Sequence, residues 1–168
     1  PQFQLKLFEE IEQFGKDLNL KFYGARALMS LRLEKNWGAW TLDFRPDFTA
    51  AESGLDIFID WNKDFIGKEE SLKEKKRGIK KKLVTMTIDT DDIDVSNDEA
   101  ILKNKKCVGY VTSGGYAHYV KKSMALGYVP LELSKHDTNL DVEINGKLYS
   151  AQVTSKPLYD ANGGKMKS

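Results

Sequence analysis

The chain has 168 residues, 40% of them hydrophobic and 30% charged, with a formal net charge of +1. That length buries a core in one or two domains, and the near-neutral balance exerts no bulk attraction on nucleic acid or on a membrane surface. No apolar run approaches the roughly twenty residues of a membrane-crossing helix, Pro1-Gln2-Phe3 is not a signal peptide, and the single cysteine, Cys107, excludes an internal disulfide and suits a reducing compartment. The missing initial Met reads as a trimmed or fragmentary chain.

Phe3, Leu5, Leu7, Phe8, Ile11, Phe14 and Leu18 recur at three- and four-residue steps, with Lys6, Glu9, Glu10, Glu12 and Gln13 between them. That spacing predicts an amphipathic helix over residues 3–18 whose apolar face packs on a core. Gly15 either ends it early or is tolerated at some cost. A second helix is expected over residues 25–35, with Ala27, Leu28 and Leu31 as its apolar face and Arg32 at the border of that face. Arg26 falls in its first turn, where a cation opposes the helix dipole. An anion approaching from outside accounts for it; the plain alternative is a surface arginine paired with a nearby glutamate.

Residues 24–55 are the least generic run, packing Arg26, Arg32, Glu34, Trp37 and Trp40 into fifteen residues. Buried charge needs partners, so the run is either a polar ligand site or a tightly folded connection. Residues 36–51 read as a loop, with Trp37, Trp40, Phe44 and Phe48 as the side chains that pin it. Residues 55–61 alternate imperfectly and read as a strand. A turn then leads through Gly67-Lys68 into a third helix ending near Arg77.

Seven of the ten residues 73–82 are basic. Without interleaved aromatics for stacking, they read as a solvated helix end and linker and not as a nucleic-acid site. Residues 89–99 carry six acids but lack the spacing of a calcium loop, and read as a solvated loop. From Lys82 the texture is that of strands: residues 83–88, a hairpin over 101–111, residues 124–129, and a second hairpin over 140–153 turning at Asn145-Gly146. Five or six short strands at this spacing predict a small antiparallel barrel over residues 80–156. The fold class is therefore α+β, divided into residues 1–78 and 79–168, with a polar, frayed tail after Asp160. Cys107 alternates with apolar residues and reads as a buried, unreactive thiol. No His-x-x-His or Cys-x-x-Cys spacing suggests a metal, and no Gly-x-Gly-x-x-Gly suggests a nucleotide.

Several motifs occur in one order: residues 27–35 (ALMSLRLEK), Ala39-Trp40, Glu52-Ser53-Gly54-Leu55, residues 64–69 (DFIGKE), residues 109–116 (GYVTSGGY), residues 125–130 (ALGYVP) and Pro157-Leu158-Tyr159-Asp160. Together they resemble the aminomethyltransferase (glycine cleavage T-protein) superfamily, and within it the C-terminal folate-binding region of dimethylglycine and sarcosine dehydrogenases. The resemblance implies the helical end of a folate-binding domain followed by a C-terminal β-barrel, as one portion of a longer protein. It implies tetrahydrofolate as the cofactor, a methylated amine as the carbon donor and 5,10-methylenetetrahydrofolate as the product. In the family, the arginine at the position of Arg26 engages the carboxylate tail of the folate; Tyr110 and Tyr116 are weaker candidates to line the site, with core or hairpin packing as the plain reading of both. The catalytic carboxylate of the T-proteins belongs to a segment before this one, so no catalytic residue is assigned. Ile57 stands where many T-proteins carry a folate-stacking tryptophan, which fits the dehydrogenase branch better.

Three readings follow from the resemblance. The chain is the folate-dependent portion of a flavin amine dehydrogenase, with FAD held only if a flavin domain lies outside this sequence. Alternatively it belongs to an aminomethyltransferase whose partner is a lipoyl carrier protein, or it is a non-enzymatic module on the same scaffold. An oligomer is compatible with each; the expected location is the cytoplasm, or the mitochondrial matrix in a eukaryote.

Overall fold

The computed structural model describes residues 1–167. Three helices, α1 (Gln4–Gly15), α2 (Ala25–Glu34) and α3 (Lys68–Arg77), precede six strands. The strands are β1 (Lys81–Ile88), β2 (Ala100–Lys103), β3 (Lys106–Ala117), β4 (Lys122–Pro130), β5 (Asn139–Ile144) and β6 (Lys147–Thr154). They close into an antiparallel barrel in the order β1-β4-β3-β2-β5-β6. The α+β architecture and the barrel expected over residues 80–156 are both present.

Period-two alternation fills the barrel. Val84, Met86 and Ile88 of β1 face inward with Ala125 and Val129 of β4, Val142 and Ile144 of β5, and Ala151 and Val153 of β6. Strand β4 is buried on both faces, because its other side carries Met124 and Leu126 against Leu33 of α2 and Ala117 of β3. Gly127 permits close approach: a Cβ there would meet Ile101 Cδ1 and the Tyr110 carbonyl oxygen at 2.6 Å. Closure leaves no free strand edge.

The helical portion departs from expectation in instructive ways. Helix α1 forms, ending at Gly15 and followed by a 3₁₀ turn over Lys16–Leu18. Gly15 is needed because Leu20 folds back over it, leaving only 2.7 Å for a Cβ. The apolar face of α1, however, is not packed on a core. Phe3, Leu7, Phe14 and Leu18 are all at least 60% exposed, because nothing among the described residues covers them. Helix α2 likewise buries a different face from the one expected: Leu28 and Leu31 stay about half exposed, while Arg32, Leu33 and Glu34 are buried against the barrel.

Residues 55–61 are not a strand. Asp56–Phe58 form a single 3₁₀ turn, and Ile57 and Phe58 point to solvent with no neighbouring strand to pair. In the preceding loop Phe44 and Phe48 do pin the chain, but Trp37 and Trp40 remain half or more exposed and lean edge-on against Phe44. Cys107 is exposed, since it lies one residue into β3 beside the turn of its hairpin, outside the barrel core. The tail after Asp160 is ordered by that residue, whose carboxylate accepts the Gly164 and Lys165 amides at the start of a one-turn helix, Gly164–Lys167.

Candidate functional site

Helix α2 is the element that joins the two portions. Its N-terminal turn is open. Gly24 precedes it in an extended conformation and supplies no side-chain cap, so the first amides of the helix keep free donor capacity. Arg26 stands in that turn, exposed, with no hydrogen-bond or ion-pair partner among the described residues. The plain reading of a glutamate-paired surface arginine is therefore not what the structure contains. A free guanidinium beside free helix amides is an arrangement that attracts carboxylate or phosphate.

One turn further on, Ser30 Oγ donates to the Tyr116 carbonyl oxygen at 2.6 Å. This ties the Arg26 face of α2 to β3 at Tyr116, whose ring stands edge-on to His118 with centroids 5.1 Å apart. Arg26 and Tyr116 thus lie on one side of the molecule. Tyr110 does not join them. It sits six residues earlier in the same strand, on the order of 20 Å away at strand rise, beside Phe48 and paired across the ladder with Tyr128.

Below this turn α2 is clamped by buried polar groups that sequence reasoning did not assemble. The Arg32 guanidinium donates to Asp43 Oδ2 at 2.7 Å, to Ser113 Oγ at 2.7 Å and to the Trp37 carbonyl at 3.2 Å. Asp43 is fully buried and accepts four donors in all: Arg32, the Ala39 amide at 2.7 Å, Ser113 at 3.0 Å, and the Thr112 hydroxyl. Four donors meet the hydrogen-bonding demand of a carboxylate taken out of water. Adjacent residues of a regular strand point to opposite faces, yet Thr112 and Ser113 both reach Asp43. A bulge between Val111 and Ser113 makes this possible, since Thr112 is the extra residue opposite β4.

Two further contacts complete the junction. The Tyr128 hydroxyl donates to the Asp43 carbonyl at 3.0 Å and accepts from Ser53 Oγ at 2.7 Å, and Phe48 stacks on its ring. Burial pushes this hydroxyl up to about 12, against a smaller opposing effect of the Ser53 hydrogen bond. On the far side Glu34 Oε1 accepts the Tyr119 and Val120 amides at 2.7 and 3.3 Å, gripping the β3–β4 turn. The only advance signal for this network was the charge density of residues 24–55 together with the rule that buried charges find partners. Nothing in the sequence paired Arg32 with Asp43 or foretold the bulge.

No helix of the described residues is long and apolar enough to cross a membrane, and no group of three or more His, Cys, Asp or Glu side chains among them is placed to hold a metal.

Comparison with known proteins agrees with this arrangement. The model of the GCVT N-terminal domain matches residues 1–63, and that of the glycine cleavage T-protein C-terminal barrel domain matches residues 81–160. The mitochondrial dimethylglycine dehydrogenase of Homo sapiens is 40% identical over 154 residues, covering 90% of this chain and 18% of the relative. An aminomethyltransferase of Synechocystis sp. is 37% identical over 138 residues, covering 81% of this chain and 37% of the relative. The crystal structure of the glycine cleavage system aminomethyltransferase T from Bartonella henselae superposes with a TM-score of 0.83 at 25% identity, over 91% of this chain and 44% of that one. The chain thus spans less than half the length of each of these relatives. Two consecutive domain models of one family, matched in order, make the conclusion plain: the chain belongs to the glycine cleavage T-protein (aminomethyltransferase) family, which includes the dimethylglycine dehydrogenases.

Proposed function

We propose that this chain is the tetrahydrofolate-binding, one-carbon-transfer portion of a longer dimethylglycine or sarcosine dehydrogenase-like enzyme, with residues 1–78 closing its folate-binding domain and residues 79–168 forming its C-terminal barrel domain. The observation that carries the reading is Arg26: a free, exposed guanidinium at an uncapped helix start, at the family position that engages the folate tail. Tetrahydrofolate supplies the nitrogen nucleophiles that capture a carbon derived from a methylated amine. The chain's own residues bind and orient. Arg26 holds a tail carboxylate, Tyr116 flanks the same side, and the Arg32–Asp43–Ser113 clamp fixes α2 on the barrel so that Arg26 is presented in one place. Holding the reactants together in this way makes the capture effectively intramolecular. Tyr110 lines a different part of the surface and is the weaker of the two tyrosine assignments. FAD, if the whole protein uses it, is held by a flavin domain outside these residues. A glycine cleavage aminomethyltransferase working with a lipoyl carrier protein is the second reading, supported by the 37% identity to the Synechocystis enzyme; a flavin-binding segment in the longer protein separates the two.

The test is the Arg26→Ala variant of the longer protein. Losing a charge-assisted hydrogen bond costs about 1.5–3 kcal/mol, so tetrahydrofolate affinity is expected to fall by roughly ten- to a hundredfold with an unchanged melting temperature. Arg26→Lys recovers part of the loss, because an ammonium lacks the bidentate fork. Unchanged affinity with a sharply lowered melting temperature makes Arg26 a structural residue and removes the assignment.

A further inference from the structure

Helix α3 and the segment before it frame a cleft that contains none of the residues assigned to folate. Glu52 fixes that segment to the start of β1: its carbonyl accepts the Leu83 amide at 2.8 Å and its Oε1 accepts the Lys81 amide at 3.2 Å. Across the gap the Lys75 ammonium rests 4.4 Å from the centroid of the Trp61 ring, a cation–π contact that holds α3 against the same segment. Between the two lies a cavity of about 610 Å³. Ile59, Trp61 and Ile79 form its apolar wall, and each keeps part of its surface open. Arg26, Tyr110 and Tyr116 take no part in it.

Glu74 stands on the cavity side of α3. It is only 8% exposed, yet its carboxylate makes no hydrogen bond or ion pair among the described residues. Its oxygens are not sealed off as Glu34 Oε2 and Ser123 Oγ are, so they are open to a donor entering the cavity. A carboxylate this buried is costly without a partner, and such a donor removes the cost. Arg77 follows three residues later and is its neighbour on the helix surface. Arg77 is exposed, lines the same cavity and is paired neither with Glu74 nor with any other carboxylate among the described residues. Of the six charged side chains in the lining, Glu70 is engaged by Lys73 at 2.6 Å and Lys75 by Trp61. The others, Asp56, Glu74, Arg77 and Lys82, are two of each sign. A lone cation or a lone anion would meet like charge here. A ligand carrying both charges close together, on an apolar body, suits the whole lining.

We infer that this cleft binds a free α-amino acid with an apolar side chain: its ammonium donates to the Glu74 carboxylate, its carboxylate accepts from Arg77, and its side chain lies on Ile59, Trp61 and Ile79. A free amino acid carries both charges on one carbon, which matches two opposite charges one helical turn apart. A residue inside a peptide carries neither. The inference goes beyond the folate assignment and does not depend on it.

Calorimetric titration of this chain with L-phenylalanine provides the test. The comparison probes are 2-phenylethylamine, which lacks the carboxylate, 3-phenylpropionate, which lacks the ammonium, and glycine, which lacks the side chain. Saturable binding of phenylalanine is expected, with each comparison probe about tenfold weaker or more, the range of a lost hydrogen bond to a charged group. Glu74→Gln keeps the size of the side chain and is expected to weaken phenylalanine binding by about tenfold while leaving the affinity for 3-phenylpropionate unreduced. Arg77→Gln alters only an exposed helix-end position, so it keeps the fold intact whatever Glu74→Gln does. It is expected to weaken phenylalanine binding by a similar factor with the melting temperature constant. Tetrahydrofolate added first should leave the phenylalanine affinity unchanged. Absence of saturable binding, a comparison probe that binds as tightly as phenylalanine, an unaltered affinity in Arg77→Gln, or displacement of phenylalanine by tetrahydrofolate each overturns the assignment.

Discussion

The barrel and the helical segment before it carry equally regular apolar periodicity, and they end in opposite states. In the barrel, the inward positions of β1, β4, β5 and β6 are buried almost without exception. Along α1 and the 3₁₀ turn after it, a face just as regular lies open, from Phe3 at the helix start through Leu18. Periodicity reports which face of an element is apolar; it does not report whether the chain supplies a cover. A closed sheet is its own cover, since each strand has two neighbours and the inward faces meet one another. A helix needs a second layer, and the described residues provide one only for the buried side of α2. That side is held to the barrel by Leu33 packing on Met124 and Leu126 together with a buried network of charge and hydrogen bonds, so the two regions differ in bonding as well as in burial.

The sharpest way to break the comparison is to cut the polar junction. Asp43 lies in the helical portion, but its partners Thr112 and Ser113 lie in the barrel. Asp43→Ala leaves the Arg32 guanidinium buried without its anion and is expected to cost about 3–5 kcal/mol, read by urea denaturation followed by circular dichroism. Replacing both partners, Arg32→Met with Asp43→Leu, should cost less than either single change, because no orphan charge remains. A double variant at least as unstable as Asp43→Ala alone would show that the hydrogen bonds, and not the charge balance, hold α2 in place. Within the barrel, Met86→Ala is expected to cost about 2–5 kcal/mol for a buried side chain deleted from a closed core. A loss well under 1 kcal/mol by the same measurement would mean that the barrel interior relaxes around the gap.

How far the sequence revealed these regions follows from the range of the forces involved. Most strand positions, the Asn145-Gly146 turn and the helices at 25–35 and 67–77 are set by local spacing and appear within a residue or two of their expected places, whereas β3 runs six residues past its expected end at Val111, to Ala117. Residues 55–61 failed because alternation alone does not make a strand; a ladder partner is required, and none is adjacent. Cys107 failed because the hairpin brings it beside a turn, where alternation no longer alternates burial. Arg26 is singled out by the family resemblance together with its place in a helix start. The Arg32–Asp43 pair is not, since it depends on a one-residue bulge at Thr112 some seventy positions away.

A smaller effect sharpens the junction by pH. The Tyr128 hydroxyl titrates at about 12 in the folded chain, raised by burial from 10.0. The group is neutral below its pKa, and folding favours the neutral form. Its contribution is therefore complete below pH 10, the unfolded value, and is lost progressively as pH rises from 10 towards 12. The melting temperature of the native chain should fall through that interval more steeply than that of Tyr128→Phe, which has nothing to ionise. Parallel slopes for the two proteins would mean that Tyr128 ionises without penalty, and that the junction admits solvent.

The least costly substitutions should be those on the open face of α1. Leu7 and Phe14 are 60% and 73% exposed, so truncating them removes little buried area. Glutamine has nearly the helix propensity of leucine, so Leu7→Gln with Phe14→Gln tests burial and not helix formation. The expected change in unfolding free energy is within about 0.5 kcal/mol per site, the range of ordinary surface positions. Association should respond instead. A contiguous apolar stripe on water tends to find a second surface, and sedimentation velocity of this chain should show concentration-dependent association that the double variant reduces. If the native chain stays monomeric at high concentration and the variant loses stability on the scale of Met86→Ala, α1 has found a cover within the chain after all. The contrast between a self-covered barrel and an open helix would then be wrong.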